Sequence, residues 1–283
     1  AAANEWKQKI ETAISHRRDL LEQAALEEKL SQETLDTTLP ARKKHRGSLH
    51  PVTLVTRKIL AVLKDIGFET ATGPEIDTEF FSFEAVNIPA DHPARDMQDT
   101  FFIGPGLTLR PHTSSVQMRT LLQHQWPVRI ACPGAVYRRD NDATHSPMFH
   151  QVEGLWVDEG VRLSDLKGTL SAFAEGLFGP QTQIRLRPSY FPFVEPGAEV
   201  DVSCVFCHAQ SRSHCRVCKG TGWIEILGAG MVHPGLFDRA GYDTKKVSGF
   251  AFGVGIERVA MLLYRIPDLR MMFQGDVRFL QQF

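Results

Sequence analysis

Tyr137-Arg138-Arg139-Asp140-Asn141-Asp142-Ala143-Thr144-His145-Ser146-Pro147-Met148-Phe149-His150-Gln151-Val152-Glu153-Gly154 is the stretch on which the fold turns. Two apolar, β-leaning runs, 128–136 and 152–157, flank a polar loop, the pattern of a hairpin with one buried face. Arg138 and Arg139 stand at the loop's entry, His145 at its tip and Phe149 on its exit. An arginine fork grips a phosphate with paired donors, and an aromatic face one strand away can stack on a base. A nucleotide reacting at its α-phosphate needs both. A hairpin with a merely solvated charged tip fits this stretch equally well, so the rest of the chain has to decide.

At 283 residues the chain is long enough for one large or two modest domains with a real core. A net charge of -1 excludes a global basic field of the kind that marks a nucleic-acid binder. RNA contacts must therefore be local or come from a partner subunit. No apolar run approaches the roughly 20 residues that span a bilayer, so no membrane role is expected. The first residues, Ala1-Ala2-Ala3-Asn4, carry neither a starting Met nor a signal-peptide pattern, and the expectation is a shortened chain. Four of the five cysteines fall in two CxxC pairs, which suits metal ligation in a reducing cytoplasm better than a disulfide scaffold.

Residues 4–36 are helix-favouring and charged, with Trp6, Ile10, Ile14 and Leu21 on a narrow stripe interrupted by Arg17. So thin a stripe is marginal alone, and the helix either packs on another helix or is a solvated arm. A basic run, Arg42 to Arg46, reads as a solvated hinge or as a phosphate contact. From His50 onward the pattern is one compact α+β domain. Leu54, Ile59, Leu63 and Ile66 mark the buried face of a helix that stops at Gly67. Strands are expected at 100–103 and 107–110 around Gly104-Pro105-Gly106, and near 128–138, 149–158, 183–187 and 223–228. Helices are expected from Thr113 or Ser114 to about Gln125, near 163–178, and from Ile256 to Tyr264. Hairpin-length loops outnumber crossover helices, so the sheet should be mostly antiparallel and flanked by helices.

Cys204-x2-Cys207-x7-Cys215-x2-Cys218 is a strong metal signal: two CxxC turns present four thiolates to one tetrahedral ion. Zinc is the expectation, with reduced free thiols or iron as the other readings. His208 and His214 are possible substitute ligands. The knuckle, 202–222, interrupts a hairpin and reads as a structural staple. Cys132 reads as core. Gly249-Phe-Ala-Phe-Gly-Val-Gly255 has the wrong spacing and context for a dinucleotide-binding turn. Its content is a glycine-rich strand entering a helix that carries Glu257-Arg258 in its first turn, where Arg258 is a positive site for a terminal phosphate.

Gly73-Pro74-Glu75 after a long helix, the Arg138 loop closing on Phe149, and the glycine-rich strand ending in Glu257-Arg258 together resemble the three signature motifs of class II aminoacyl-tRNA synthetases. In detail the chain is similar to the α subunits of bacterial phenylalanyl-tRNA synthetases. His92-Pro93-Ala94-Arg95-Asp96-Met97, Asp99-Thr100-Phe101, Thr113-Ser114, Phe149 to Gly154, Arg187 to Pro196 and Gly249 to Gly253 carry that resemblance from about Leu35 to Phe283. Phe102 stands where some members carry Trp, which removes an indole donor but leaves an apolar wall.

The resemblance implies an N-terminal helical arm (1–40), a basic linker (41–49) and a class II catalytic domain (50–283). It implies activation of L-phenylalanine with ATP and Mg²⁺ to phenylalanyl-adenylate, then transfer to tRNA(Phe), by an α2β2 heterotetramer in which the β subunit does much of the tRNA recognition. Arg138 would hold the α-phosphate and the amino-acid carboxylate, Phe149 would stack on adenine, and His145 and Arg258 would hold the outer phosphates. Gln151 and Glu153, which alternate along one strand and so face one side, would bind the α-ammonium with His112 and Ser114. Phe191 and Phe193, expected on a shared strand face, and Ala251 would line the side-chain pocket. Glu195, next on that face, would bind Mg²⁺ together with the partner subunit. A catalytically silent paralogue and a zinc-knuckle nucleic-acid module are the rival readings. Intact Arg138, Phe149, Gln151, Glu153 and Arg258 oppose the first, and the absence of a basic surface opposes the second.

Overall fold

A computed structural model describes residues 2–33, 38, 47–92, 100–139, 146–207 and 215–283. The linker run Arg42 to Arg46, the segment 93–99, His145, His208 and His214 lie outside the described residues. The chain forms two compact units, 1–46 and 47–283. The first holds helix α1 (Ala2–Gln32), none of whose residues is buried. Its apolar stripe meets no packing partner among the described residues of that unit.

The second unit runs α2 (Pro51–Asp65), β1 (Glu69–Thr70), β2 (Ile76–Thr78), α3 (Glu79–Ser82), β3 (Phe102–Gly104), β4 (Leu107–Leu109), α4 (Ser114–Gln123), β5 (Val128–Tyr137), β6 (Met148–Glu159), α5 (Leu163–Phe178), β7 (Ile184–Phe191), β8 (Val194–Ser203), β9 (Trp223–Val232), α6 (Pro234–Ala240), β10 (Val247–Gly255), α7 (Ile256–Tyr264) and α8 (Val277–Leu280). Seven strands make one sheet in the order β1-β5-β6-β10-β9-β8-β7, and β2-β4-β3 make a second, small one. Among the described residues only β1 joins the large sheet in parallel; every other pairing there is antiparallel.

Local chemistry starts and stops these elements. The His50 ring accepts the Val52 N–H (3.2 Å) and Pro51 opens α2, while Gly67 at φ +91° ends it. Val52, Val55, Ile59 and Leu63 are its buried positions; Leu54 and Ile66 lie half-buried beside them. The Asp165 carboxylate reaches back to the Arg162 N–H (2.7 Å) and fixes the start of α5. Residues of α2, α5 and α7 pack with one face of the large sheet around Phe173, Phe250 and Phe252. The other face packs with residues of α4 and α6 around Leu121, Leu155 and Ala251. Cys132 is buried on that side, as core.

Two expectations need correction. The strand expected near 183–187 runs on as β7 to Phe191, an unexpected strand β8 follows it, and β9 runs on to Val232; the cysteine excursion lies between β8 and β9, in the hairpin where it was expected. Phe191 and Phe193 do not share a strand face. Strand β7 ends at Phe191, Pro192 and Phe193 form the turn, and Glu195 belongs to β8 across it.

Candidate active site

The central strands lay out a floor. In the β6–β10 register Glu153 faces Gly253 and Leu155 faces Ala251, and in the β10–β9 register Gly253 faces Gly228. Directly opposed residues share a face, so Gln151, Glu153, Ala251, Gly253 and Gly228 all present one side. Two of these are glycines whose side-chain space the cleft residues already occupy. A Cβ at Gly228 would sit 2.9 Å from the Phe191 ring, and one at Gly253 would lie 3.0 Å from the Glu153 Cγ. Above this floor opens a cleft of about 1560 Å³, lined among others by His112, Ser114, Arg138, Phe191, Phe193 and Arg258.

Glu153 is the cleft's central charge. It is buried, and its carboxylate accepts the Thr113 N–H (3.1 Å), the Ser114 hydroxyl (2.6 Å) and the Gln117 amide (3.0 Å). Burial raises its pKa from the ordinary carboxylate value, and the Ser114 and Thr113 donors offset that only in part. Such a group is completed by a cation. His112 is also buried, and neither of its ring nitrogens is well hydrogen-bonded among the described residues. Burial first, then the positive charge of Arg138, push its pKa down to about 4, with the Ser82 backbone opposing weakly. His112 is therefore neutral at pH 7. The buried Oε1 of Gln151 likewise has no partner among the described residues. Unsatisfied buried polar atoms converging on one cleft are the mark of a ligand site.

Arg138 follows β5, and its Nε donates to the Pro111 carbonyl (3.1 Å). Its guanidinium lies 5.1 Å from the centre of the Phe149 ring, which β6 brings opposite Val136. Phe149 is half-buried at the edge of the cleft rather than among its lining residues. Arg258 projects from the first turn of α7 and is exposed. Phe191 and Phe193 line the cleft with rings stacked at 6.0 Å, despite the turn between them. Glu195 does not line it. It is exposed and lies 3.6 Å from His233. Phe102 is also outside, 51% exposed on the small sheet and stacked on Phe83.

Sequence reasoning missed the acidic wall made by Glu199 and Glu225, both held by Arg187 at 2.8 and 2.7 Å. Alternation along β8 was the available signal, because Glu199 lies opposite Gly228 on the cleft side. It also missed Tyr190 on the rim, whose ring stacks with that of His92.

The four cysteines come together at one end of the sheet. All four sulfurs lie within 4.8 Å of one another, with Cys204–Cys215 and Cys207–Cys218 each 3.8 Å apart. For a tetrahedron with metal–sulfur bonds of about 2.3 Å the expected edge is about 3.8 Å. The cluster fits a metal ion. Cys204 and Cys218 belong to the main core, with Val205 and Phe206 packed against it.

The family model for the tRNA synthetases class II core domain (F) matches residues 34–283. The phenylalanine–tRNA ligase α subunit of Geobacter sulfurreducens is 55% identical over 99% of this chain and 82% of its own length. That of Pelotomaculum thermopropionicum is 55% identical over 100% of this chain and 82% of its own. Among solved structures, pyrrolysyl-tRNA synthetase from Desulfitobacterium hafniense aligns with a TM-score of 0.58 over 79% of this chain and 73% of that one. At 19% identity that likeness speaks for the fold alone. A class II core-domain match over residues 34–283, with homologues this similar along nearly its whole length, makes the chain a member of the phenylalanine–tRNA ligase α-subunit family, aminoacyl-tRNA ligases of class II.

Proposed function

We propose that the cleft forms phenylalanyl-adenylate and that each residue acts as follows. The substrate ammonium sits against the Glu153 carboxylate, with Gln151, Ser114 and neutral His112 around it. The buried, triply hydrogen-bonded Glu153 is the observation that carries this reading, because a carboxylate so placed is stabilised by an incoming cation. The phenyl ring lies over the Gly228–Gly253 floor against Phe191 and Phe193, with Ala251 at the far end. Arg138 holds the substrate carboxylate and the α-phosphate, Phe149 stacks on adenine, and Arg258 and His145 hold the outer phosphates. The carboxylate oxygen attacks the α-phosphorus, the bond to the bridging oxygen breaks, and pyrophosphate leaves in line. Charge builds on the phosphoryl oxygens beside Arg138, so catalysis is mainly positioning and charge stabilisation. A ribose hydroxyl of the terminal adenosine of tRNA(Phe) then attacks the acyl carbon and AMP departs.

Glu195, an exposed carboxylate, would contribute to a Mg²⁺ site with a group from the partner subunit; Mg²⁺ takes few protein carboxylates and keeps its waters. Bound there, it would neutralise phosphate charge. The four-cysteine cluster holds zinc, which the 3.8 Å sulfur separations favour. The protein works with a β subunit as α2β2, in the cytoplasm. Support for assembly comes from the small sheet, where Ile76, Ile103 and Leu107 are left open to solvent. No helix among the described residues is long and apolar enough to cross a membrane. The test is phenylalanine-dependent ATP–pyrophosphate exchange by the chain with its partner subunit. Exchange driven by phenylalanine and not by other amino acids is expected; none with phenylalanine would overturn the reading.

A further inference from the structure

Glu257 is buried, charged and unused by the chemistry above, and its position is unusual. Strand β10 pairs with β6 only as far as Gly255 opposite Gln151, because the chain turns into α7 at Ile256. Beyond that point residues 148–150 of β6 keep β5 on one side, through Tyr137, Val136 and Ala135. On the other side the strand neighbour has ended. Glu257 takes its place. Both of its carboxylate oxygens accept the His150 backbone N–H, at 3.1 and 3.0 Å, and Oε1 also meets the His150 ring at Nδ1, 2.7 Å away. A side chain from the first turn of a helix thus continues the ladder of the neighbouring strand. Charge-assisted bonds of this kind are about twice as strong as neutral ones, and Glu257 is only 2% exposed, so water competes little.

The bond joins neighbours of two proposed ligand-holding groups. His150 stands between Phe149 and Gln151, and Glu257 immediately precedes Arg258. We propose that Glu257 is a positioning residue for ATP: through His150 it fixes the distance between the adenine-stacking ring of Phe149 and the phosphate-holding guanidinium of Arg258. The proposal rests on the reading of those two residues as opposite ends of one nucleotide site. The amino-acid side is held otherwise: Gln151 by the ladder opposite Gly255, and Glu153 by donors from the start of α4. Loss of the Glu257 tie should therefore disturb the nucleotide and spare the amino acid.

Glu257→Gln keeps the shape and one acceptor oxygen but loses the charge; Glu257→Ala loses the whole tie. Both are compared with the parent, as complexes with the partner subunit, for the KM of ATP, the KM of phenylalanine and amide hydrogen exchange at residues 148–150. The Ala variant should raise the ATP KM about ten- to hundredfold, the scale of an ångström misplacement, and the Gln variant roughly three- to tenfold. The phenylalanine KM should stay within about twofold, and exchange at 148–150 should accelerate in both. If the Ala variant does not fold, the Gln variant decides. Equal rises in both KM values, or unchanged KM values in a folded variant that is merely less stable, would overturn the proposal, as would unchanged protection at 148–150. A parent complex without phenylalanine-dependent exchange would instead refute the adenylate chemistry, and the hydrogen-exchange result would still judge the tie.

Discussion

Arg138 and His112 are neighbours whose charges are arranged so that only one is positive. The guanidinium supplies paired donors where phosphoryl charge would develop, and no ammonium reproduces that fork. Arg138→Lys should cost about 2–4 kcal/mol of transition-state stabilisation, by analogy with removing one oxyanion donor. Near-parental exchange rates in a folded complex would remove Arg138 from that role. His112 behaves differently, because its value near 4 in the folded chain lies below the ordinary 6.5. As pH falls the unfolded chain takes up its proton first. The stability tied to neutral His112 is therefore intact above about pH 6.5 and drains away towards pH 4, by roughly 3 kcal/mol in all. In urea unfolding at pH 7 and pH 5, His112→Phe should shrink the difference between the two; a variant as acid-sensitive as the parent would place the lability elsewhere. Ala251 sets the third expectation. It faces Gly230 and Leu155 across the sheet and lines the cleft. Ala251→Gly frees about one methyl of space, and discrimination per methyl-sized group is roughly 1–3 kcal/mol. The variant should activate para-chloro-phenylalanine better relative to phenylalanine, and an unchanged ratio of efficiencies would mean that Ala251 only packs the core.

At the scale of elements, legibility followed periodicity. The β5–β6 hairpin, α5 and α7 were plain in the sequence because alternation or a capped apolar stripe ran for two turns or more. Strand β8 was hidden, because its Pro196, Gly197 and acidic residues break the apolar alternation that marks a strand. Its register is held instead by Asp201, which accepts from Arg185 (2.6 Å) and Arg187 (2.8 Å). The Phe-Pro-Phe motif looked like a strand with two rings on one face, but Pro192 turns the chain between them. Both rings still reach the cleft, although not from one strand face. Contacts such as Glu257 with His150, 107 residues apart, carry no local signal at all. The cysteine knuckle was legible from spacing, but not that Cys204 and Cys218 enter the main core. That placement would make a metal bound there a support for the end of the sheet as well as for its own turn. Cys207→Ser should abolish metal binding and lower stability by roughly 2–4 kcal/mol, or about 5–10 °C in Tm for a domain of this size. Metal analysis paired with thermal unfolding checks it; a metal-free variant that melts with the parent would strip the knuckle of its structural role.

At the scale of the whole molecule, a closed core gives way to an open apolar margin on the small sheet. The large sheet carries helices packed on both of its faces. The small sheet is covered on one face only among the described residues. Asp77 and Thr108 point inward and are buried, while Ile76 (53% exposed), Ile103 and Leu107 remain open. Fully burying an aliphatic side chain is worth about 1.5–3 kcal/mol, so leaving these in water forgoes stability that an assembled α2β2 complex would recover. A buried unpaired carboxylate at such a position opposes assembly, whereas the same group on the free chain faces solvent and changes folding stability by only about 0.5 kcal/mol. Ile103→Glu combined with Leu107→Glu should therefore leave Tm and metal content of the isolated chain close to the parent's. When co-expressed with the partner subunit, the variant should elute as a smaller species by light scattering and lose exchange activity in proportion to the assembly lost. Full assembly by the doubly charged variant would show that the open edge of the small sheet is ordinary surface, and the interface would then have to be sought on another face.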